Sequence, residues 1–280
     1  HASKIAGEVK DYDPNQYFDR KEVRKFDPFI QFALIASDEA VKDSGLDLNV
    51  IDKEKAGTYI GSGIGGIHTI EINKEILMQK GPDRISPFFL PACIANLAAG
   101  HVSIKYGFMG PNFATVSACA SSANAMIDAF NYIRFGYADM FLTGGSEAAI
   151  TPGGVGGFSS MHAISSRNDD PKTASRPFDK DRDGFVLGEG GCALIFEELG
   201  HAKARGAKIY AEILGYGETC DGFNIMMMEN SGAQMTRMLQ LAFADAGIAL
   251  EQDAGAENFQ KYAMERSGLG QALRQVMSEI

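Results

Sequence analysis

The 280-residue sequence has no CxxC pair, no apolar run near the roughly 20 residues that a membrane span requires, and no excess of basic charge. Its four cysteines, Cys93, Cys119, Cys192 and Cys220, stand far apart, with no histidine nearby at metal-ligand spacing. That argues against a zinc site and against a disulfide scaffold. The formal charge of −10 argues against general nucleic-acid binding, because affinity for polyphosphate comes mainly from Lys and Arg neutralising phosphates. A local basic patch is compatible with it. The opening HASKIAGEVKDYD lacks the basic and apolar regions of a signal peptide. These absences lead us to expect a cytoplasmic protein with no metal, no cofactor, no membrane span and no nucleic-acid partner. There is no internal repeat or low-complexity linker, so composition marks no boundary between independent domains.

Hydrophobic residues make up 45% of the chain, enough for a large core, and the 32 glycines gather where apolar runs end, as when strands hand over to helices through tight turns. Pro28 to Gly45 reads as a helix with one buried stripe, Phe29, Phe32, Ile35, Ala36 and Ala40, and a glycine stop. Gly57 to Gly61 reads as a strand, followed by a glycine turn and a mixed helical segment to about Lys80. Pro91 to Tyr106 predicts one helix, Asn112 to Ser117 a strand, Ala120 to about Phe135 a helix, and Ala138 to Gly145 a buried strand. Two later strands are expected at Gly191 to Glu197 and Ile209 to Gly215, with a short helix around His201 to Arg205 between them. Ser231 to Ala246 predicts an amphipathic helix capped by Ser231 and stopped by Gly247. Asp253 to Ile280 is a helix-forming tail without a readable motif. The alternation predicts an α/β fold, a layered sheet with helices on its faces.

Cys119 lies in Ala114-Thr-Val-Ser-Ala-Cys-Ala-Ser-Ser-Ala123, between a strand and a helix, among residues too small to shield it. A thiol there meets helix N–H groups and the positive end of the helix dipole, the setting of a nucleophile. The alternative is an inert buried cysteine, a common fate of free thiols. Gly61-Ser-Gly-Ile-Gly-Gly66 satisfies GxGxxG after a strand, which raises a dinucleotide site; the acidic residue ending a second strand about 20 residues on is replaced by a turn. Asp179-Lys-Asp-Arg-Asp-Gly184 imitates the opening of a calcium loop, but its twelfth position is Gly190, so these charges read as a salt-bridged or solvated loop. The histidines, His1, His68, His101, His162 and His201, are scattered, and Met226-Met-Met228 reads as core filler or an adaptable apolar surface.

Three blocks taken together carry a resemblance: the cysteine segment, Ala138-Asp-Met-Phe-Leu-Thr-Gly-Gly-Ser-Glu147, and Asn168 to Gly190 with its Ala174-Ser-Arg-Pro-Phe-Asp-Lys-Asp-Arg-Asp-Gly184. In this order and spacing they resemble the elongating β-ketoacyl-acyl-carrier-protein synthases of the dissociated, type II kind, from about Ser3 to about Gln252. The resemblance implies a thiolase-like layered fold, mainly the first of its two halves over residues 1–205, with 206–252 starting the second half, 253–280 unassigned, and the first strand and most of the second half missing. It implies acyl transfer to Cys119 and condensation with malonyl-carrier protein as carbon dioxide leaves, in a homodimer. Ile94 matches a residue at the floor of the acyl pocket and Phe158 a pocket wall. Lys21, Arg24 and Lys25 match basic residues that dock the acidic acyl-carrier protein, although a solvated basic helix start would read the same way.

The departures are specific. His162 stands where related synthases often carry arginine, and Asp221 to Met228 departs from the usual histidine and small polar residues. No histidine stands in the two settings that the family uses to stabilise the carbanion, and the glycine-rich Phe loop has no match. Two other readings are a non-catalytic ketosynthase-like interaction subunit and a dinucleotide-binding oxidoreductase.

Overall fold

A computed structural model describes residues 1–248 and distinguishes two compact units, His1–Tyr210 and a second beginning at Ala211. In the first, a short turn of helix, α1 (Arg20–Val23), precedes the long α2 (Pro28–Ser44). α2 starts where it does because Asp27 accepts the Phe29 N–H and Pro28 needs no partner for an N–H it lacks; Gly45, at φ 63°, ends it. The expected stripe holds only at Phe29 and Phe32: Phe29 to Leu34 are all buried, because β-strands cover one side of the helix and α5 (below) another, while Ile35, Ala36 and Ala40 are half-buried. Phe29 and Ile30 are fully inaccessible, each worth about 2–3 kcal/mol of burial.

The chain continues through β1 (Ala56–Gly61), α3 (Ile67–Lys80), α4 (Phe89–Cys93), α5 (Leu97–Tyr106), β2 (Asn112–Phe113), α6 (Ser121–Arg134), β3 (Met140–Glu147), α7 (Pro152–Ser160), β4 (Gly190–Glu197) and α8 (Leu199–Ala204). The four strands form one sheet in the order β2-β1-β3-β4, parallel except for β4, which runs antiparallel to β3. Alternation along the strands divides the core. Ala56, Ile60, Met140 and Leu142 meet α2 and α5 on one face, while Tyr59 and Phe141 meet Ala125 and Ala129 of α6 on the other. With helices on both faces, β1 is buried at every residue, so its sequence reads as a continuous run rather than an alternating one. Thr58, the buried polar residue of β1, accepts from Ser103 of α5 at 3.0 Å. The layered α/β architecture expected from the sequence is present.

Three segments depart from expectation. The single helix over Pro91 to Tyr106 is two, because the Cys93 carbonyl, needed to continue α4, accepts the Gly66 N–H at 3.0 Å instead. The strand at Asn112 to Ser117 pairs only over Asn112–Phe113; beyond it, Thr115 and Ser117 turn their polar groups to Ser121. Ile209 to Gly215 is not a strand, since β4 has no second neighbour in the described sheet. In the second unit, α9 (Ala233–Asp245) follows the left-handed Gly232 rather than Ser231, although Ser231 Oγ still accepts the Ala233 N–H; Gly247, at φ 68°, follows it. The expected tail helix from Asp253 lies outside the described residues.

Candidate active site at the start of a central helix

Cys119 sits in the single 3-10 turn Ala118–Ala120 that leads into α6, and its side chain is exposed. The turn is forced into shape from three sides. Ala118 takes φ 51°, a left-handed conformation that costs a non-glycine residue about 1 kcal/mol. Buried Ser121 braces it, its Oγ donating to the Ala118 carbonyl at 2.7 Å and accepting the Ser117 N–H at 2.9 Å, while Thr115 Oγ1 donates to the Ser121 carbonyl at 2.6 Å. Beneath it the sheet carries glycine: a Cβ on Gly61 would lie 2.4 Å from the Ser121 backbone, and one on Gly145 2.6 Å from Ser122 Cβ. Only glycines let α6 begin this close to the carboxyl ends of β1 and β3, the end of an α/β sheet where sites form.

Beside the turn, the GxGxxG loop is already filled. Glu147, closing β3, accepts the N–H groups of Gly63 (2.7 Å), Ile64 (2.9 Å) and Gly65 (3.2 Å) and the Ser62 hydroxyl (3.2 Å). The amides that would cradle a pyrophosphate in a dinucleotide fold therefore hold a carboxylate of the same chain, which argues against the oxidoreductase reading. The loop touches two candidate segments at once. A Cβ on Gly63 would lie 3.2 Å from the Ala118 carbonyl, and one on Gly65 3.0 Å from that of Cys93 and 3.2 Å from Ala95 Cα.

Ile94 stands between Cys93 and Ala95, at the break between α4 and α5, and is 47% exposed. Phe158 lies on α7, half-buried, its ring edge-on to Phe185 at 5.4 Å. α7 is itself held by Glu71 of α3, which accepts from Thr151 Oγ1 at 2.7 Å and the Gly153 N–H at 2.8 Å. Lys21 and Arg24 are exposed on and just after α1, whose start is fixed by reciprocal bonds between Asp19 and Glu22. Lys25 lies over the Phe88 ring, 5.2 Å from its centre. The glycine loop thus joins the Cys119 turn to the Ile94 turn, whereas Phe158 and the basic residues sit on separate elements.

Among the histidines, His101 packs edge-on against Phe26 at 4.6 Å, where burial, with Lys25 nearby, holds its pKa below the ordinary value. His201 contacts Glu197 at 2.5 Å, and His68 and His162 are exposed. In the acidic loop, Asp183 accepts from the Ser165 hydroxyl at 2.6 Å and the Ser166 N–H at 3.0 Å, so its carboxylate serves the loop's own turn. The roles of Glu147 and Ser121 are not readable from sequence; the one signal was a polar residue at the exit of a glycine-ended strand.

Residues 1–202 match the family described as Beta-ketoacyl synthase, N-terminal domain. The chain is 50% identical over 250 residues to 3-oxoacyl-(acyl-carrier-protein) synthase 2 of Synechocystis sp., covering 89% of this chain and 60% of that protein. It is 49% identical over 244 residues to the synthase of the same name from Staphylococcus aureus, covering 87% and 60%. Among solved structures it is similar to a β-ketoacyl synthase from Burkholderia phymatum, with TM-score 0.80, 32% identity and coverage of 88% and 60%. It is also similar to a type II PKS acyl-carrier protein in complex with its ketosynthase, with TM-score 0.76, 33% identity and coverage of 89% and 60%. The chain spans about 60% of the length of the curated relatives it matches.

Proposed function

The chain belongs to the β-ketoacyl synthase family, and on that basis we propose that Cys119 is the nucleophile that accepts an acyl group from acyl-carrier protein in fatty-acid elongation. The observation that carries the reading is the exposed thiol held on a left-handed turn at the amino end of α6. Its thiolate attacks the thioester carbonyl, the bond to the carrier's sulfur breaks, and the carrier leaves as a thiolate that takes a proton from solvent, with the acyl group on Cys119 Sγ. In the whole protein the acyl-enzyme then meets the carbanion formed as malonyl-carrier protein loses carbon dioxide. The new carbon–carbon bond releases Cys119 and gives β-ketoacyl-carrier protein.

Residues 1–205 read as the amino-terminal thiolase-like half and 206–252 as the start of the second. Ile94 and Phe158 are proposed to line the acyl pocket and Lys21, Arg24 and Lys25 to dock the carrier; exposed Lys21 and Arg24 support electrostatic attraction of an acidic partner despite the net charge of −10. A homodimer is supported by the open edge at β2, flanked by exposed Met109 and Val116. Four free thiols favour a reducing compartment, the cytoplasm, and no described helix is long and apolar enough to cross a membrane.

The test is to incubate the 280-residue chain with acyl- and malonyl-carrier protein. One acyl group should appear on Cys119, none in Cys119→Ala, and no carbon dioxide should be released, because half-buried His101 packs on Phe26, His201 is engaged by Glu197, and the family's carbanion-stabilising settings have no match here. Undiminished acylation of Cys119→Ala would reject the proposal.

A further inference from the structure

We propose that Glu147 is a positioning residue for Cys119: its carboxylate locks the Ser62–Gly66 loop against the Ala118 carbonyl and so fixes the turn that presents the thiol. The inference rests on the reading of Cys119 as the acyl acceptor, and it adds a role for a residue that touches neither acyl group nor carrier.

Glu147 is the last residue of β3, and its register is set by pairing with Gly190 of β4, so its side chain starts from a rigid strand. One carboxylate gathers three successive backbone N–H groups and a hydroxyl, two of the amides at 2.7 and 2.9 Å on the same oxygen. Hydrogen bonds to an ionised acceptor are the short, strong kind, and those from Gly63 and Ile64 are the shortest here; the Gly65 N–H is shared with Ser62 Oγ at 3.1 Å. The loop needs glycine to make that convergence: Gly65 takes φ 75°, and a side chain on Gly66 would lie 2.5 Å from the Ala92 carbonyl. Held in this way, Gly63 faces the Ala118 carbonyl so closely that a Cβ on it would lie 3.2 Å away, and Ser121 Oγ donates to that same carbonyl. Ala118 is strained, so the turn keeps its shape only while both sides hold. Cys119 is the next residue. Losing the Glu147 clamp leaves the fold of β1, β3 and α6 in place and frees the turn to relax, which moves the thiol relative to an incoming thioester. A displacement of about 1 Å at a reacting atom costs on the order of a hundredfold in rate.

The experiment uses the full 280-residue chain and its Glu147→Gln and Gly63→Ala variants. Glu198→Gln, which removes a carboxylate that caps α8, is the control for the loss of a structural carboxylate alone. Two quantities are read: the initial rate of Cys119 alkylation by iodoacetamide relative to Cys192 in the same molecule, and the saturating rate of Cys119 acylation by acyl-carrier protein with its half-saturating concentration. In Glu147→Gln the alkylation ratio should fall about threefold or more, and the saturating acylation rate about tenfold to a hundredfold, with half-saturation unchanged. Glu198→Gln should alter neither. Wild-type values in Glu147→Gln, or an equal loss in Glu198→Gln, overturn the proposal. Should Glu147→Gln fail to fold, Gly63→Ala decides: it keeps the carboxylate but sets a methyl group 3.1 Å from Glu147 Oε2 and 3.2 Å from the Ala118 carbonyl, crowding clamp and turn together, so unchanged values there overturn it equally. If the wild-type chain accepts no acyl group, the functional reading fails on its own, and the alkylation ratio still decides the role of Glu147.

Discussion

Ala118, Cys119 and Ser121 show how a few small residues build an open turn at the start of α6. The left-handed Ala118 is affordable because the Ser121 hydroxyl closes on its carbonyl, and the small side chains around Cys119 leave the thiol open. The exposed place of Cys119 just before α6 was legible in the sequence because small residues and a helix pattern follow one another there. Glu147 was not, because its partners Ser62 to Gly65 lie more than 80 residues away and only folding of the sheet brings them together. Ile94 was singled out by resemblance, and its exposed place at the break between α4 and α5 leaves room for substitution without disturbing the core. Replacing it by Phe should shift acyl transfer to Cys119 toward shorter chains while leaving the shortest donor unaffected. Acyl-carrier proteins of graded chain length, compared by rate of transfer, check this; an unchanged length profile would remove Ile94 from the pocket.

At the scale of elements, β1, β3, α2 and α6 could be read from apolar periodicity and glycine stops because each buries apolar residues against a neighbouring element, whereas α3 and β4 lie where the sequence puts them with their apolar residues half-buried or exposed. The misreadings fall where tertiary contacts override local pattern. The break after α4 depends on Gly66 taking a helix carbonyl, and the shortening of β2 on Ser121 drawing Ser117 away from the ladder. Ile209 to Gly215 has strand composition, but its pairing depends on a neighbour that composition cannot specify. The close seat of α6 on the sheet gives a direct prediction: Gly61→Ala should destabilise the chain by about 1–3 kcal/mol, since its methyl group meets backbone and no rotamer change relieves the contact. Gly157→Ala, on α7 with open space around its Cα, should be neutral or stabilising by up to about 1 kcal/mol, and thermal unfolding of the two variants compares them.

β4, α8 and α2 are tied by a second device. Arg205, just after α8, donates to both Glu197 oxygens at 2.7 Å and to the Ser44 carbonyl at 2.9 Å. Burial pushes the Glu197 pKa up, but the bonds from Arg205 and His201 outweigh it, and the net shift is down. A carboxylate whose pKa is depressed by folding contributes stability that is present above its unfolded value and lost as pH falls through the folded one. Glu197→Gln should therefore cost about 2–4 kcal/mol at neutral pH and progressively less below the ordinary glutamate range. Unfolding midpoints of wild type and variant, followed from pH 7 into acid, should converge as the carboxylate is protonated; a constant difference would contradict the assignment.

Taken whole, the chain is acidic, with a net charge of −10, yet presents basic Lys21 and Arg24 at its surface, and it places an exposed thiol at the carboxyl end of a parallel sheet pair. Membership of the β-ketoacyl synthase family follows from the match over residues 1–202, and the central claim is that this architecture singles out one thiol of four. Cys119, Cys192 and Cys220 are all exposed, so accessibility alone would not separate them; Cys93 is half-buried, with its thiol pushed up by desolvation. Only Cys119 stands at the amino end of a long helix. The folded chain should be treated with limiting iodoacetamide and the adducts mapped by mass spectrometry. Cys119 should take the first label and Cys93 the last; labelling of Cys192 or Cys220 ahead of Cys119 would show that its place before α6 does not single it out.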